Sequence, residues 1–177
     1  MGILTRAGAW AAVLALTVTV AGCGPTGSGD PVELTDEDAY ALAVRTYARY
    51  VDLAEQILAD DEVPTDSLVA VLSGEELVQE VDAFQKGRDA GHRIVGEIAM
   101  RGERLIERRF GQGPTSEVTI GVCVDYSNAY RIDGVGAKTP VLSNATSRSK
   151  LVTVRIDSSV GRGHIIAQQN EGDFCLG

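Results

Sequence analysis

The sequence predicts an α+β domain in which N-terminal helices pack on an antiparallel sheet. Apolar residues recur at helical spacing from residue 35 to about residue 84, and they alternate at the two-residue period of strands in segments after residue 92. Helices followed by a run of antiparallel strands are typical of α+β domains. We place one such domain at residues 35–177 of the 177-residue chain, because this length allows a single core.

The first helix is predicted from Thr35 to about Ala59. Thr35 is a suitable N-cap, and Asp38 stands three residues later, where the helix dipole favours an acidic side chain. Apolar residues fill an arc of about 200° of this helix, which is wider than a helix covered on one side needs. We therefore expect it to be covered on two sides, for instance by a curved sheet and a second helix.

Two shorter helical segments are predicted to follow. Pro64-Thr65-Asp66 begins the first of them. Ser73 and Glu76 have the spacing of a capping box and predict the start of the second. Gly87 and Gly91 indicate where this helical region ends.

Five segments after residue 92 have strand-like sequences. They are residues 92–100, 103–110, 117–126, 150–157 and 163–170. We expect Arg101-Gly102 to turn between the first two, and a Gly-containing turn at residues 158–162 to join the last two into an antiparallel hairpin. Residues 134–149 are predicted to form a polar connection. In residues 117–126, one face of the strand carries Val118, Ile120, Val122 and Val124.

The first 22 residues have the organisation of a signal peptide. A short segment with one base, Arg6, precedes an apolar run at residues 7–20. As a helix this run is about 21 Å long, shorter than the roughly 30 Å hydrocarbon core of a bilayer. The run therefore predicts a cleaved leader rather than a permanent transmembrane span.

The leader ends in Val20-Ala21-Gly22-Cys23, which resembles the lipobox of bacterial lipoprotein precursors. The resemblance implies cleavage before Cys23 and a diacylglyceryl group on its thiol. The product would be anchored to the cell membrane on the extracytoplasmic face without spanning it. Residues 23–34 would then be the lipidated cysteine and a flexible tether rich in Gly, Pro and Ser. The alternative is a plain secretory signal with a chance cysteine.

Cys123 and Cys175 are the other two of the three cysteines. Because disulfides persist outside the cytoplasm, we expect these two to be bridged. The bridge would close a loop of about 50 residues and stabilise the domain by about 4 kcal/mol in the chain-entropy model. The alternative is two buried free thiols. No metal site is predicted, because the sequence has no Cys-x-x-Cys or His-x-x-x-His spacing.

The order of elements resembles the nuclear transport factor two-like superfamily. The stretch Gly121-Val-Cys-Val-Asp-Tyr-Ser127, followed by Tyr130-Arg-Ile-Asp-Gly134, also resembles SnoaL-like domains of actinobacterial lipoproteins. The resemblance covers about residues 35–177. It implies a strongly curved sheet around a long helix, a cone-shaped cavity, and a mid-sheet cysteine paired with one in the last strand. A cystatin-like domain or another helix-on-sheet fold is the alternative.

Seven side chains are candidates for lining such a cavity. They are Tyr47, Tyr50, His92, Asp125, Tyr126, Arg155 and His164. Core packing is the simpler interpretation of Tyr47 and Tyr50. Both histidines begin strand-like segments, so surface positions are simpler for them, and Asp125 is interpreted as a turn or rim residue. Acid–base catalysis would need an imidazole within about 3 Å of a carboxylate or a substrate proton.

Two functional hypotheses follow from these observations. The first is a non-catalytic binding or accessory domain that holds a small apolar ligand or packs its sheet on another cell-envelope protein. The second is an enzyme of the isomerase or dehydratase type, which the resemblance allows, with an acid–base site inside the cone. Neither hypothesis calls for a cofactor. A net charge of −9 argues against a nucleic-acid partner, because phosphates would repel so acidic a chain.

One local basic cluster lies in and just before the second strand-like segment. Its residues are Arg101, Arg104, Arg108 and Arg109, with Glu103 and Glu107 between them. We interpret the cluster as a solvated strand of mixed charge. The alternative is a docking surface for an acidic partner or a lipid headgroup.

Overall fold

The computed structural model describes residues 34–175, which form two α-helices, one 3-10 helix and five strands. The helices are α1 (Asp36–Ala59) and α2 (Gly74–Asp89), with the 3-10 helix at Thr65–Ala70 between them. The strands are β1 (Arg93–Phe110), β2 (Thr115–Ile132), β3 (Lys138–Pro140), β4 (Ser147–Asp157) and β5 (Arg162–Gln169). The predicted α+β class is confirmed.

The predicted leader and anchor fall outside this part of the chain. The signal peptide at residues 1–22, Cys23 and the tether up to residue 33 lie outside the described residues. Within residues 34–175, no helix is both long enough and apolar enough to cross a bilayer.

α1 begins and ends where its sequence predicts. The Thr35 hydroxyl accepts a hydrogen bond from the Asp38 amide at 3.1 Å and donates one to the Asp38 carboxylate at 2.7 Å. Buried residues recur every three or four positions from Ala39 to Ile57. The helix packs on β1, β2, β4 and β5 and also against α2. It is therefore covered on two sides, as the wide apolar arc predicted.

The strands form one antiparallel sheet in the order β1-β2-β4-β5, and β3 pairs with the C-terminal end of β2. We call the face that packs under α1 the inner face and the opposite one the outer face. The inward residues of β2 and β4, each at most 1% exposed, are Val118, Ile120, Val122, Val124, Val152, Val154 and Ile156. Burying one such side chain contributes about 1.5–3 kcal/mol, so this face supplies much of the core. The four from β2 are those that the alternation predicted.

β1 is one continuous strand, so the prediction of two strands and a turn was wrong. Both predicted segments pair with β2 along the length of Arg93–Phe110. β2 has 18 residues and pairs with β1 from one end to the other, except at the residues of the three register shifts. A reversal at Arg101 and Gly102 would instead turn the second segment away from β2. The register shifts between Arg101 and Arg104, where Gly102 has a φ of +62°, and the chain continues as a bulge.

α2 begins without the capping box predicted for Ser73 and Glu76. The Ser73 side chain makes no capping hydrogen bond, and its extended backbone pairs with β5. The Ser73 amide donates to the Ile165 carbonyl at 3.0 Å, and the Ile165 amide donates to the Val71 carbonyl at 2.8 Å. Glu76 instead accepts a hydrogen bond from Gln168 at 3.0 Å. These bonds cover the exposed edge of β5.

The segment after β5, which we call the C-terminal strap (residues 170–175), crosses the outer face. Cys175 is disulfide-bonded to Cys123 of β2, in agreement with the predicted bridge. The Phe174 ring lies on Gly121, where an added Cβ atom would come within 2.5 Å of the ring. The Arg104 guanidinium stacks over the same ring, 4.3 Å from its centre.

Each arginine of the predicted basic cluster on β1 has a local partner. The pairs are Arg101 with Asp125 (3.0 Å), Arg104 with the Phe174 ring, Arg108 with Asp36 (2.8 Å) and Arg109 with Glu107 (2.7 Å). These contacts agree with a strand of mixed charge, but the strand is not solvated throughout, because the Arg108 side chain is only 8% exposed. They leave little unpaired positive charge within this cluster.

Candidate functional site

A cavity of about 280 Å³, which we call the central cavity, lies between α1, α2 and the inner face of the sheet. Most of its lining is aromatic or aliphatic. The aromatic members are Tyr47, Tyr50, Phe84 and Tyr126, and the charged members are Glu80, Arg131, Arg148 and Lys150. A concave site that combines aromatic and aliphatic side chains with polar groups is typical of a small-molecule site.

Two tyrosines of α1 form one wall of the central cavity. The rings of Tyr47 and Tyr50 stack with their centres 5.6 Å apart. The Tyr50 hydroxyl donates a hydrogen bond to the Glu80 carboxylate of α2 at 3.0 Å. Burial raises the pKa of both tyrosines, and the negative charge of Glu80 raises it further. At neutral pH Tyr50 is therefore a protonated donor and not a base.

Arg88 fixes the position of α2 over α1. Its guanidinium donates to the carbonyl oxygens of Ile57 and Asp60, both at 2.9 Å. Carbonyls at a helix C-terminus lack partners within the helix, and a positive charge is favoured there. With this end of α2 held, Glu80, about two turns earlier, faces Tyr50.

Lys150 of β4 reaches the central cavity from the sheet. Its ammonium donates to the Gln168 side chain at 3.2 Å, and the Gln168 amide in turn donates to Glu76 of α2 at 3.0 Å. Burial lowers the pKa of Lys150, and the nearby charges of Glu80 and Glu76 partly oppose this effect. Burial and repulsion from Glu80 raise the pKa of Glu76. No carboxylate of residues 34–175 lies within 4.0 Å of the Lys150 ammonium, which leaves a partly desolvated cation without an ion-pair partner.

Three of the seven candidate residues line the central cavity, and they are Tyr47, Tyr50 and Tyr126. His92 lies away from it, exposed at the junction of α2 and β1. His164 lines a different groove, formed where α1 meets the turn between β4 and β5. The structure therefore separates the two histidines from the tyrosines that the sequence grouped with them.

Asp125 and Arg155 lie on the outer face, so they do not line the central cavity. Successive residues of a strand point to opposite faces, which places Asp125 opposite to Val124. Asp125 pairs with Arg101 at 3.0 Å, and Arg155 pairs with Glu117 at 2.9 Å. Surface ion pairs therefore account for the presence of both charged residues on this face.

Glu80 and Lys150 were not among the predicted site residues, although the sequence contains a signal for both. Lys150 has the same strand parity as Val152, which predicts an inward side chain. Glu80 stands three residues after Leu77 and four before Phe84, on the apolar face of α2. A charged residue in phase with core positions is the signal that would have found them.

The central cavity offers hydrogen-bond donors and positive charge rather than an imidazole-based acid–base pair. Among the described residues, no histidine lines it. Residues 34–175 also contain no group of three His, Cys, Asp or Glu side chains that could hold a metal ion. The arrangement suits an anionic group bound beside Lys150.

Comparisons with known proteins bear on the fold alone. No protein-family model matches the chain, and no curated protein matches it. The structure is similar to the crystal structure of the intermembrane space region of chloroplast protein ARC6, with a TM-score of 0.56. The two are 13% identical, and the match covers 76% of this chain and 97% of that one. At this identity the likeness shows a common fold of helices on an antiparallel sheet and carries nothing about activity.

Proposed function

We propose that this protein is a lipoprotein anchored at the extracytoplasmic face of the cell membrane, and that its domain binds a small ligand without catalysis. The ligand has a mostly apolar body and one anionic group, and it occupies the central cavity. The observation that carries the ligand part of this proposal is the Lys150 ammonium. It reaches a cavity lined mostly by aromatic and aliphatic residues, without a carboxylate partner among the described residues.

The charges of the central cavity support an anionic ligand. Arg131, Arg148 and Lys150 line it together with a single carboxylate, Glu80, which already accepts a hydrogen bond from Tyr50. Burying a cation without a partner costs several kcal/mol, and an anionic ligand group offsets that cost. The volume of about 280 Å³ lies at the lower end for such sites, so the ligand is small.

We also propose that the sheet is strongly curved and forms a cone-shaped cavity, as in the nuclear transport factor two-like superfamily. β1 shifts its register at three places, and such bulges bend a strand and increase its twist. At one shift the Glu55 carboxylate of α1 accepts a hydrogen bond from the Ile98 amide, so the helix holds the irregular part of the strand. The likeness to the ARC6 region is consistent with a helix-on-sheet fold of this kind.

The lipid anchor rests on Val20-Ala21-Gly22-Cys23. The bond between Cys123 and Cys175 supports an extracytoplasmic location, because disulfides persist in oxidising compartments. Cys23→Ala should remove the diacylglyceryl group and release the protein from the membrane fraction, or leave an unprocessed precursor. Mass spectrometry of wild type and variant measures this directly. A variant that stays processed and membrane-bound would contradict the anchor.

Octanoate and octanol together test the ligand chemistry, because they have the same apolar chain and differ in charge. We expect the full-length protein to bind octanoate more tightly, and Lys150→Gln to weaken octanoate binding by about tenfold while octanol binding changes little. Lys138→Gln is the matched control, since Lys138 is exposed and outside the cavity. Equal affinity for the two probes in the wild type would refute an anionic ligand.

One observation favours an enzyme of the isomerase or dehydratase type as the second candidate. The Tyr50 hydroxyl and the Glu80 carboxylate are hydrogen-bonded at the cavity wall, which places a proton donor beside a possible base. Incubating the ligand that copurifies from the native membrane with fresh protein separates the two functions. A binding protein returns the ligand unchanged by chromatography, whereas an enzyme yields an isomer or a dehydrated product at a rate that Tyr50→Phe reduces.

A further inference from the structure

A second concave site lies where α1, residues 69–71 and residues 161–164 meet. We call it the arginine groove, after Arg45, Arg49 and Arg162, which line it together with His164. Its volume is about 570 Å³, twice that of the central cavity. None of the described residues lines both sites, so the two can be tested independently.

The arginine groove is basic although the chain as a whole carries a net charge of −9. Arg45 and Arg49 stand one turn apart on α1, and Arg162 comes from the start of β5. Among residues 34–175, no carboxylate lines the groove, and none lies within 4.0 Å of these three guanidinium groups. By contrast, Arg101, Arg104, Arg108 and Arg109 of β1 are matched with acids or an aromatic ring. The positive charge of the groove is therefore available to a ligand.

A close contact between α1 and β5 brings these arginines together. A Cβ atom at Gly163 would lie 2.7 Å from the Thr46 hydroxyl and 2.9 Å from a methyl group of Val154. Only glycine allows the helix to approach the strand this closely. Thr46 is itself buried, and its hydroxyl donates to the Leu42 carbonyl at 2.8 Å. The groove is thus built on two regular elements whose relative position is fixed by packing.

We propose that the arginine groove binds a phosphate group, carried by a small phosphoester or by a phospholipid headgroup. Guanidinium groups stay charged at any physiological pH, and their planar fork donates two parallel hydrogen bonds to phosphate oxygens. Three of them complement a phosphate dianion better than a singly charged carboxylate. The volume of the groove accommodates the phosphate together with part of the group that carries it.

Isothermal titration of the full chain, embedded in phosphatidylcholine nanodiscs, with inorganic phosphate tests the proposal. The wild type should bind phosphate with an affinity that falls as sodium chloride is added. R45Q/R49Q should weaken binding at least tenfold, and so should R162Q, which guards against misfolding of the double variant. R93Q/K138Q also removes two exposed positive charges but lies outside both sites, and it should change the affinity less than twofold.

Nanodiscs that contain phosphatidic acid distinguish the two sources of phosphate. If a headgroup is the ligand, these discs should lower the apparent affinity for inorganic phosphate severalfold, because the lipid already fills the groove. If a small phosphoester is the ligand, the affinity should match that in discs of equal surface charge made with oleate. The proposal is overturned if the wild type binds no phosphate in phosphatidylcholine discs, if the groove variants bind it like the wild type, or if K150Q and not R45Q/R49Q abolishes binding.

Discussion

Successive residues of β2 point to its inner and outer faces in turn, yet the two faces are stabilised in different ways. On the inner face, Ile120 and Val122 are fully buried under α1. On the outer face, Thr119 is hydrogen-bonded to Thr153 at 3.1 Å, and Gly121 is covered by the C-terminal strap. The inner face depends on hydrophobic burial, whereas the outer face depends on polar pairs and one covalent bond.

This difference follows from where the helices lie. α1 and α2 cover one face only, so the outer face stays open to solvent except under the strap. An open face cannot gain much from burial, and a cross-link compensates by restricting the unfolded chain. We therefore expect the inner face to respond to changes in side-chain volume, and the outer face to respond to reduction and to loss of charge pairs.

Loss of the bond between Cys123 and Cys175 should have the largest effect. The bond joins residues 52 positions apart, and removing it in C123A/C175A should lower the free energy of unfolding by about 4 kcal/mol. Urea unfolding followed by circular dichroism measures the change. A reductant should destabilise the wild type similarly and leave the double variant unaffected. A wild type that is indifferent to complete reduction would show that the strap does not stabilise the outer face.

Removal of one methyl group should have the next largest effect on the free energy of unfolding, and the effect should differ between the two faces. Ile120→Val leaves a small gap in a fully buried site and should cost about 1 kcal/mol. Thr119→Ser removes one methyl group from the adjacent outward position, and it should cost less than about 0.5 kcal/mol because that site is only half-buried. Both variants can be compared by urea unfolding. Equal costs at the two positions would mean that the faces are packed alike.

Glu76, on the inner side of the sheet, should make the stability of the protein depend on pH. Its pKa is raised above the usual 4.5 by burial and by Glu80. Its contribution to stability is therefore full below the unfolded value and is lost as the pH rises through the folded pKa. We expect Glu76→Gln to gain stability relative to wild type as the pH is raised from acid to neutral. Glu75→Gln, a control at an exposed neighbouring position, should not reproduce this gain.

Asp125 on the outer face should give a pH dependence of stability opposite in sign to that of Glu76. This effect should be the smallest of the four. Hydrogen bonds from Ser127 and the charge of Arg101 lower the pKa of Asp125 below its usual 3.8. Its contribution is present at neutral pH and is lost as the pH falls through the folded pKa. Asp125→Asn should be slightly less stable than wild type at neutral pH, and the gap should close in acid. A gap that widens in acid would contradict this assignment.

Three tyrosines of the central cavity could be predicted from the sequence, whereas its charged residues could not, for a physical reason. Helical periodicity placed Tyr47 and Tyr50 on the apolar face of α1, and Tyr126 was a candidate at the end of a predicted strand. Lys150 and Glu80 carried the same periodic signal, but charged residues are seldom buried, so the pattern favoured solvent for them. Glu80 is hydrogen-bonded to Tyr50, and Lys150 is hydrogen-bonded to Gln168. These tertiary contacts explain why both charged side chains are half-buried.

The sequence by itself predicted the α+β class, the approximate limits of α1, the shared face of the β2 side chains and, as the expected of two alternatives, the bridge from Cys123 to Cys175. These depend on local periodicity, on capping chemistry, and on there being two cysteines in the domain. Only the tertiary structure decided that β1 runs unbroken and that Arg45, Arg49 and Arg162 line one groove beside Gly163. Both depend on contacts between residues far apart in the chain, and local preferences do not encode such contacts.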